Sequence, residues 1–217
     1  MKLIDLSQPL YNGAPNCPAH PAVKSEIIAT HEKVGWRVEY LMLASHTGSH
    51  VDAPLHKLAG APSLDDIPLE SWVGQAYIAD LRGIAPDALI GAQLLAEKLP
   101  GDLNDRIILL ATGWGQKRAK TEEWLHHSPP LVPDGAQWLV DHGVRGVGID
   151  HYSIGGCSEP INSQTHTILL GAGVWIVEEL LFPAEVFQLP QPVKFWSLPI
   201  NFRGFTGAFC RPVIVVE

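Results

Sequence analysis

The run Ile107-Ile108-Leu109-Leu110 contains no polar residue. A strand with one face in water alternates apolar and polar side chains, whereas an unbroken apolar strand is covered on both faces. The segment Arg106–Thr112 therefore predicts a central strand lying between two layers. Further extended segments are expected at Leu3–Leu6, Val23–Ala29, Trp36–Ala44, Ala76–Leu81, Gly146–Asp150, Val174–Val177, Val193–Leu198 and Pro212–Val216. Within them Trp36-Arg37-Val38-Glu39-Tyr40-Leu41 alternates, as a half-covered strand does. Helices are fewer: Gly91–Leu99, Thr121–His127, Asp134–His142 and a short one at Gln164–Leu170. In the third, Asp134 is expected to cap, Ala136, Leu139 and Val140 form the apolar stripe, and Gly143 ends it. Strands and helices interleave only in the middle, and both ends are strand-rich. The expectation is an α/β chain forming one mixed-sheet domain over residues 1–217, with a twisted, partly closed sheet and flanking helices.

Composition narrows the functional classes. The formal net charge is −8 with no basic run, which argues against nucleic acid and against acidic membrane surfaces as partners. No apolar run reaches the roughly 18–20 residues of a membrane-crossing helix. The start, Met1-Lys2-Leu3-Ile4-Asp5, turns charged too early for a secretory leader, so a cytoplasmic location is expected. Three cysteines (Cys17, Cys157 and Cys210) form neither a close pair nor a zinc motif.

The chemistry concentrates in His46-Thr47-Gly48-Ser49-His50-Val51-Asp52-Ala53-Pro54-Leu55-His56. Imidazoles and a carboxylate this close together are the usual ligands of zinc and similar divalent ions. A helix would set Asp52 about 120° away from the face of His46 and His50, and Pro54 would obstruct it. In an extended chain, positions 50, 52 and 56 point the same way, and Gly48 allows a bend that brings His46 round to join them. The reading is an extended segment with His46, His50 and Asp52 as metal ligands. His56 lies four residues past Asp52, about 13 Å in extended chain at roughly 3.3 Å per residue. Unless the chain turns, that distance makes it a proton shuttle and not a close ligand.

The same stretch resembles the signature of the metal-dependent cyclase family, which includes bacterial kynurenine formamidases, isatin hydrolases and some lactamases. Ser49 stands where Thr is commoner. Ile4-Asp5-Leu6-Ser7-Gln8-Pro9-Leu10 is similar to the family's opening strand, and Val144–Asp150 to its central one. His166, followed by Leu169-Leu170-Gly171 and then Val174-Trp175-Ile176-Val177-Glu178, resembles its second metal-binding segment. The resemblance implies a swivelling β/β/α fold, His166 as ligand of a second ion, Glu178 as a bridging carboxylate, and a homodimer or homotetramer. Zinc or manganese, as one or two ions, is the implied cofactor. Glu179 competes with Glu178 for the bridging role. One departure concerns substrate: kynurenine formamidases tend to carry Trp in a Val-Trp-Pro-Gly segment, and Cys17 stands at that place here.

The function expected is metal-dependent hydrolysis of a small amide, formamide or lactam, with His56 as the catalytic proton carrier. Two rivals are a non-catalytic metal or small-molecule binding protein on the same scaffold, and a hydrolase using Cys157 with His151. No Gly-x-Ser-x-Gly elbow is present for a serine hydrolase. Trp114 and Cys17 are both candidates for lining a pocket. His126-His127 reads as a solvated pair, and His20, His31, His142 and His151 have no assignable partners.

Overall fold

A computed structural model describes residues 1–217. Nine of its eleven strands form one sheet in the order β1-β11-β9-β5-β6-β7-β8-β4-β10. In chain order these are β1 (Lys2–Asp5), β4 (His50–Asp52), β5 (Val73–Asp80), β6 (Ile107–Ala111), β7 (Gly146–Ile149), β8 (Trp175–Glu178), β9 (Val193–Trp196), β10 (Gly207–Phe209) and β11 (Val213–Val216). Strands β5 to β8 run parallel and the rest pair antiparallel. The remaining two, β2 (Lys24–Ala29) and β3 (Val38–Met42), make a separate hairpin around the short helix α1 (His31–Val34).

Strand β6 accounts for the two layers. Ile107, Leu109 and Ala111 face one hydrophobic core with Trp72, Trp175, Phe195 and Ile214. Ile108 and Leu110 face a second core beneath helices α2 (Ala92–Lys98), α4 (Pro133–Asp141) and α5 (Ile161–Gly171). The first core fills the inside of the curl and the second lies under the helices. The curl itself is secured at both edges. Past β1, Ser7 bridges Leu180 and Leu181 donates to the Leu6 carbonyl at 2.8 Å. Past β9, Pro199 bridges Cys210 and Ile200 donates to the Phe209 carbonyl at 3.1 Å. The result is a mixed α/β domain built on a half-barrel sheet.

Several local expectations are corrected. The alternating Trp36–Leu41 segment is not half-covered: every residue of β3 is exposed. Strands β4 and β10 have only three residues each, too short for periodicity to reveal. Helix α5 starts at Ile161, three residues before the expected Gln164. Asp134 lies in the first turn of α4 behind Pro133, and its carboxylate accepts from the Ala92 amide of α2 at 3.2 Å. Thr121 does cap, accepting from the Trp124 amide at the start of α3 (Glu122–His126).

His151 is buried beside Trp124. Its Nε2 lies 2.8 Å from the Trp124 carbonyl, and its Nδ1 lies 2.8 Å from the Ser128 hydroxyl and 3.3 Å from the Ser153 carbonyl. Burial lowers its pKa to about 4. The unfolded chain takes up a proton that the folded chain refuses. Its stabilisation is therefore complete above about pH 6.5 and is lost as pH falls toward 4. Urea unfolding of metal-free protein at pH 7.5 and 5.5 checks this: the loss of stability on acidification is expected to shrink in His151→Gln.

Candidate metal and active site

Strand register brings His50, Asp52 and Glu178 together. On β4, Val51 points into the core while His50 and Asp52 share the opposite face. Antiparallel pairing sets His50 opposite Glu178 on β8 and Asp52 opposite Gly207 on β10. Gly48 adopts φ 65°, a left-handed conformation, and a Cβ there would lie 2.7 Å from Leu10. Its carbonyl accepts from His50 Nδ1 at 2.7 Å, which turns Nε2 of that ring toward the carboxylates. Helix α5 does the same for His166, whose Nδ1 donates to the Asn162 carbonyl at 2.9 Å. Glu178 is aimed by the Ile154 amide, which donates to its Oε1 at 2.7 Å.

Each carboxylate spans both rings. Asp52 lies 3.4 Å from His50 Nε2 through Oδ1 and 3.7 Å from His166 Nε2 through Oδ2. Glu178 lies 3.4 Å from His50 through Oε2 and 3.4 Å from His166 through Oε1. Donor atoms about 2.0–2.1 Å from a tetrahedral ion are separated from each other by roughly 3.3 Å, so these spacings suit an ion. The His46 contact differs, because Nδ1 is 2.7 Å from Asp52 Oδ1, which is a hydrogen-bond length. Its Nε2 accepts from the Thr206 hydroxyl at 2.8 Å. His46 orients Asp52, and it offers a ring nitrogen to a metal only after giving up one of those bonds.

His56 also departs from the extended-chain expectation. A 3-10 turn at Pro54–His56 reverses the chain and stacks its ring on His46, centroids 3.9 Å apart. His46, Asp52 and His56 then offer ligand atoms within 4.8 Å of one another, as do His50, Asp52 and Glu178. Desolvation lowers the His56 pKa to about 4, with Asp52 opposing and the neighbouring imidazoles assisting. Its ring is uncharged at neutral pH.

A cation fits this donor set. Asp52 Oδ2 is buried and has no hydrogen-bond partner, a costly state for a carboxylate oxygen without a counter-charge. Burial opposes ionisation of Asp52, yet the surrounding histidines hold its pKa well below the ordinary range. Burial also opposes a charge on His50 and His166, but the carboxylates prevail and push both up to about 9. The two carboxylates thus attract positive charge into the gap, as protons or as a metal ion.

Residues 4–155 match the Cyclase family model. The chain belongs to the cyclase family. It is 32% identical over 177 residues to a kynurenine formamidase from Salinibacter ruber, an overlap covering 80% of this chain and 77% of that one. Among solved structures, isatin hydrolase A from Labrenzia aggregata bound to benzyl benzoate shares the fold with a TM-score of 0.83 at 23% identity, covering 100% of this chain and 94% of that one. A protein described as a potential metal-dependent hydrolase with cyclase activity matches with a TM-score of 0.78 at 27% identity, covering 98% of this chain and 96% of that one.

The centre of this cyclase-family chain opens into a pocket of about 400 Å³. His46, His50, His56, His166 and Glu178 line it on one side, and Cys17, His20, His126, Tyr152 and Cys157 complete the walls. Cys17 is therefore a pocket residue. Trp114 is not: it is buried with Trp124 and Tyr152. His126 is solvent-exposed, as read from the sequence, and also lines the pocket, while His127 pairs with Asp87 at 2.9 Å. His151 has both nitrogens engaged, so it does not serve Cys157, whose thiol donates to the His126 carbonyl. Glu179 turns away through φ 53° to Arg118, leaving Glu178 to face the rings.

Sequence reasoning missed His20, Thr206 and Gly207. The first is a lone histidine in a loop. The other two lie far along the chain, and only the β4–β10 register brings them to the site. A Cβ on Gly207 would lie 2.6 Å from the His46 ring and 2.5 Å from the Val51 carbonyl. Gly207→Ala is expected to cost about 1–3 kcal/mol by overpacking and to weaken metal binding; chemical denaturation and metal titration read the two effects.

Proposed function

We propose that this chain is a metal-dependent hydrolase that cleaves the C–N bond of a small non-peptide amide, formamide or lactam. The observation carrying this reading is the pair of buried carboxylates, each spanning the inward nitrogens of His50 and His166 at 3.4–3.7 Å. His50, Asp52, His166 and Glu178 hold one or two divalent ions, and His46 joins them by releasing Asp52 or Thr206. When bound, a divalent metal supplies Lewis acidity for a carbonyl and lowers the pKa of water toward about 7. His and carboxylate donors suit zinc or manganese. His56, uncharged and placed beside the cluster by its 3-10 turn, takes the proton from attacking water and returns it to the leaving nitrogen. Relatives named for formamide hydrolysis support the substrate class, and the pocket volume suits a small molecule.

A non-catalytic binding protein has no use for His56, which separates the readings. Metal-stripped protein is expected to hydrolyse nothing from a panel of N-aryl formamides, isatin and cyclic amides, and to recover activity with zinc or manganese. His56→Ala is expected to retain metal and lose about 10²–10⁴-fold in kcat. Loss of metal in that variant would make His56 a ligand; full activity in it would remove it from the mechanism.

We further propose a homodimer or homotetramer built through the β2–β3 hairpin. Ile28, Trp36, Leu41 and Met42 are 62%, 74%, 61% and 51% exposed there. An isolated two-stranded hairpin is marginally stable, and clustered exposed apolar groups mark interfaces. Ile28→Asp with Leu41→Asp is expected to yield monomers by light scattering. No helix is long and apolar enough to cross a membrane. The three unpaired cysteines suit the reducing cytoplasm, where we place the protein.

A further inference from the structure

Arg118 lies outside the metal cluster and is buried with its partner. Nε donates to Glu179 at 2.7 Å, and the two side chains are 5% and 1% exposed. The other guanidinium nitrogens donate to the Pro9 carbonyl at 3.0 Å and the Pro15 carbonyl at 2.7 Å. A planar fork of donors reaches three acceptors in three directions, which an ammonium on a flexible stem does less well.

Those carbonyls belong to a segment of turns that ends in Cys17-Pro18-Ala19-His20, one wall of the pocket. The backbone–backbone hydrogen bonds of residues 9–23 run from Gly13 to Val23, Ala14 to Tyr11 and His20 to Cys17. All three close inside the segment, so none holds the wall to the sheet. His20 turns toward the site, its ring centroid 6.3 Å from that of His46, and its buried Nδ1 has no protein partner.

The anchor at the far end is tied to the metal cluster. Glu179 directly follows Glu178, and its carbonyl accepts from the Ser49 hydroxyl at 2.7 Å, next to His50. Ser49 in turn accepts from the Gln8 amide at 2.8 Å, where the segment begins. A buried ion pair adds little net stability compared with apolar packing. What it supplies here is direction: two bonds to backbone carbonyls that an apolar side chain cannot make.

We propose that Arg118 is a positioning residue that holds the Cys17–His20 wall at a fixed distance from the His50–Glu178 cluster, with Glu179 as its anchor. It sets how well substrate is bound without touching it. The inference rests on the pocket being the hydrolytic site proposed above, but its first readout does not need activity.

In a Cys157→Ser background, the Cys17 thiol is titrated with 5,5′-dithiobis(2-nitrobenzoate) and located by peptide mapping. Arg118→Lys is expected to speed its reaction about tenfold and to raise KM for the best amide of the panel about tenfold, with kcat and metal content within about threefold. Glu179→Gln keeps an acceptor for Nε and is expected to move both quantities less, in the same direction. Unchanged Cys17 reactivity and KM in both variants would overturn the proposal. So would a fall in kcat and metal content at constant KM, which would make Arg118 a support of the cluster. If no amide is turned over, the thiol rates still decide the placement of the wall while the hydrolytic reading fails separately.

Discussion

Two carboxylates on neighbouring strands, both almost wholly removed from water, govern this structure. Asp52 and Glu178 are 0% and 3% exposed, and charges so placed are tolerated only when paired and hydrogen-bonded. The chain surrounds them with imidazoles. The rings of His50 and His166 are steered by carbonyls at Gly48 and Asn162, so the nitrogens that meet the carboxylates are set by backbone geometry. Outside these, Thr206, Ile154 and Ser49 fix His46, Glu178 and the Glu179 turn.

The geometry sorts the histidines by distance. Separations near 3.4 Å leave space for an ion between donors, whereas the 2.7 Å from His46 to Asp52 is bridged by a proton. Charge balance in the centre therefore has two solutions, protonated rings or bound metal, and they compete. His56 stacks on His46, faces the pocket and brings a ring nitrogen within 4.8 Å of the ligand atoms of His46 and Asp52.

The layered sheet was legible because β6 has a pattern that only burial on both faces explains, and the 46–56 stretch was legible because spacing, Gly48 and Pro54 act locally. What sequence could not show is set by pairing between distant segments. Parity put His50 and Asp52 on one face, but nothing local says that Glu178 lies opposite His50 or that Thr206 reaches His46. The extended-chain distance misplaced His56 because a 3-10 turn begins at Pro54, where the same proline had served only as an argument against a helix. The alternation of Trp36–Leu41 suggests a covered face, yet the hairpin is a separate two-stranded sheet and every residue of β3 is exposed.

The strand order also governs when the centre can exist during folding. Strand β4 lies between β8 and β10, both far along the chain from it, and β1 finds its sheet partner only in β11. The residues that complete the sheet are therefore distant along the chain from those that begin it. Pairings so distant along the chain are slow to form, since loop closure precedes any reward from contact. Until then the histidine-rich stretch is a flexible peptide holding three scattered imidazoles, without Glu178 or His166 beside it. Assembly of the centre thus reports that the whole sheet has closed.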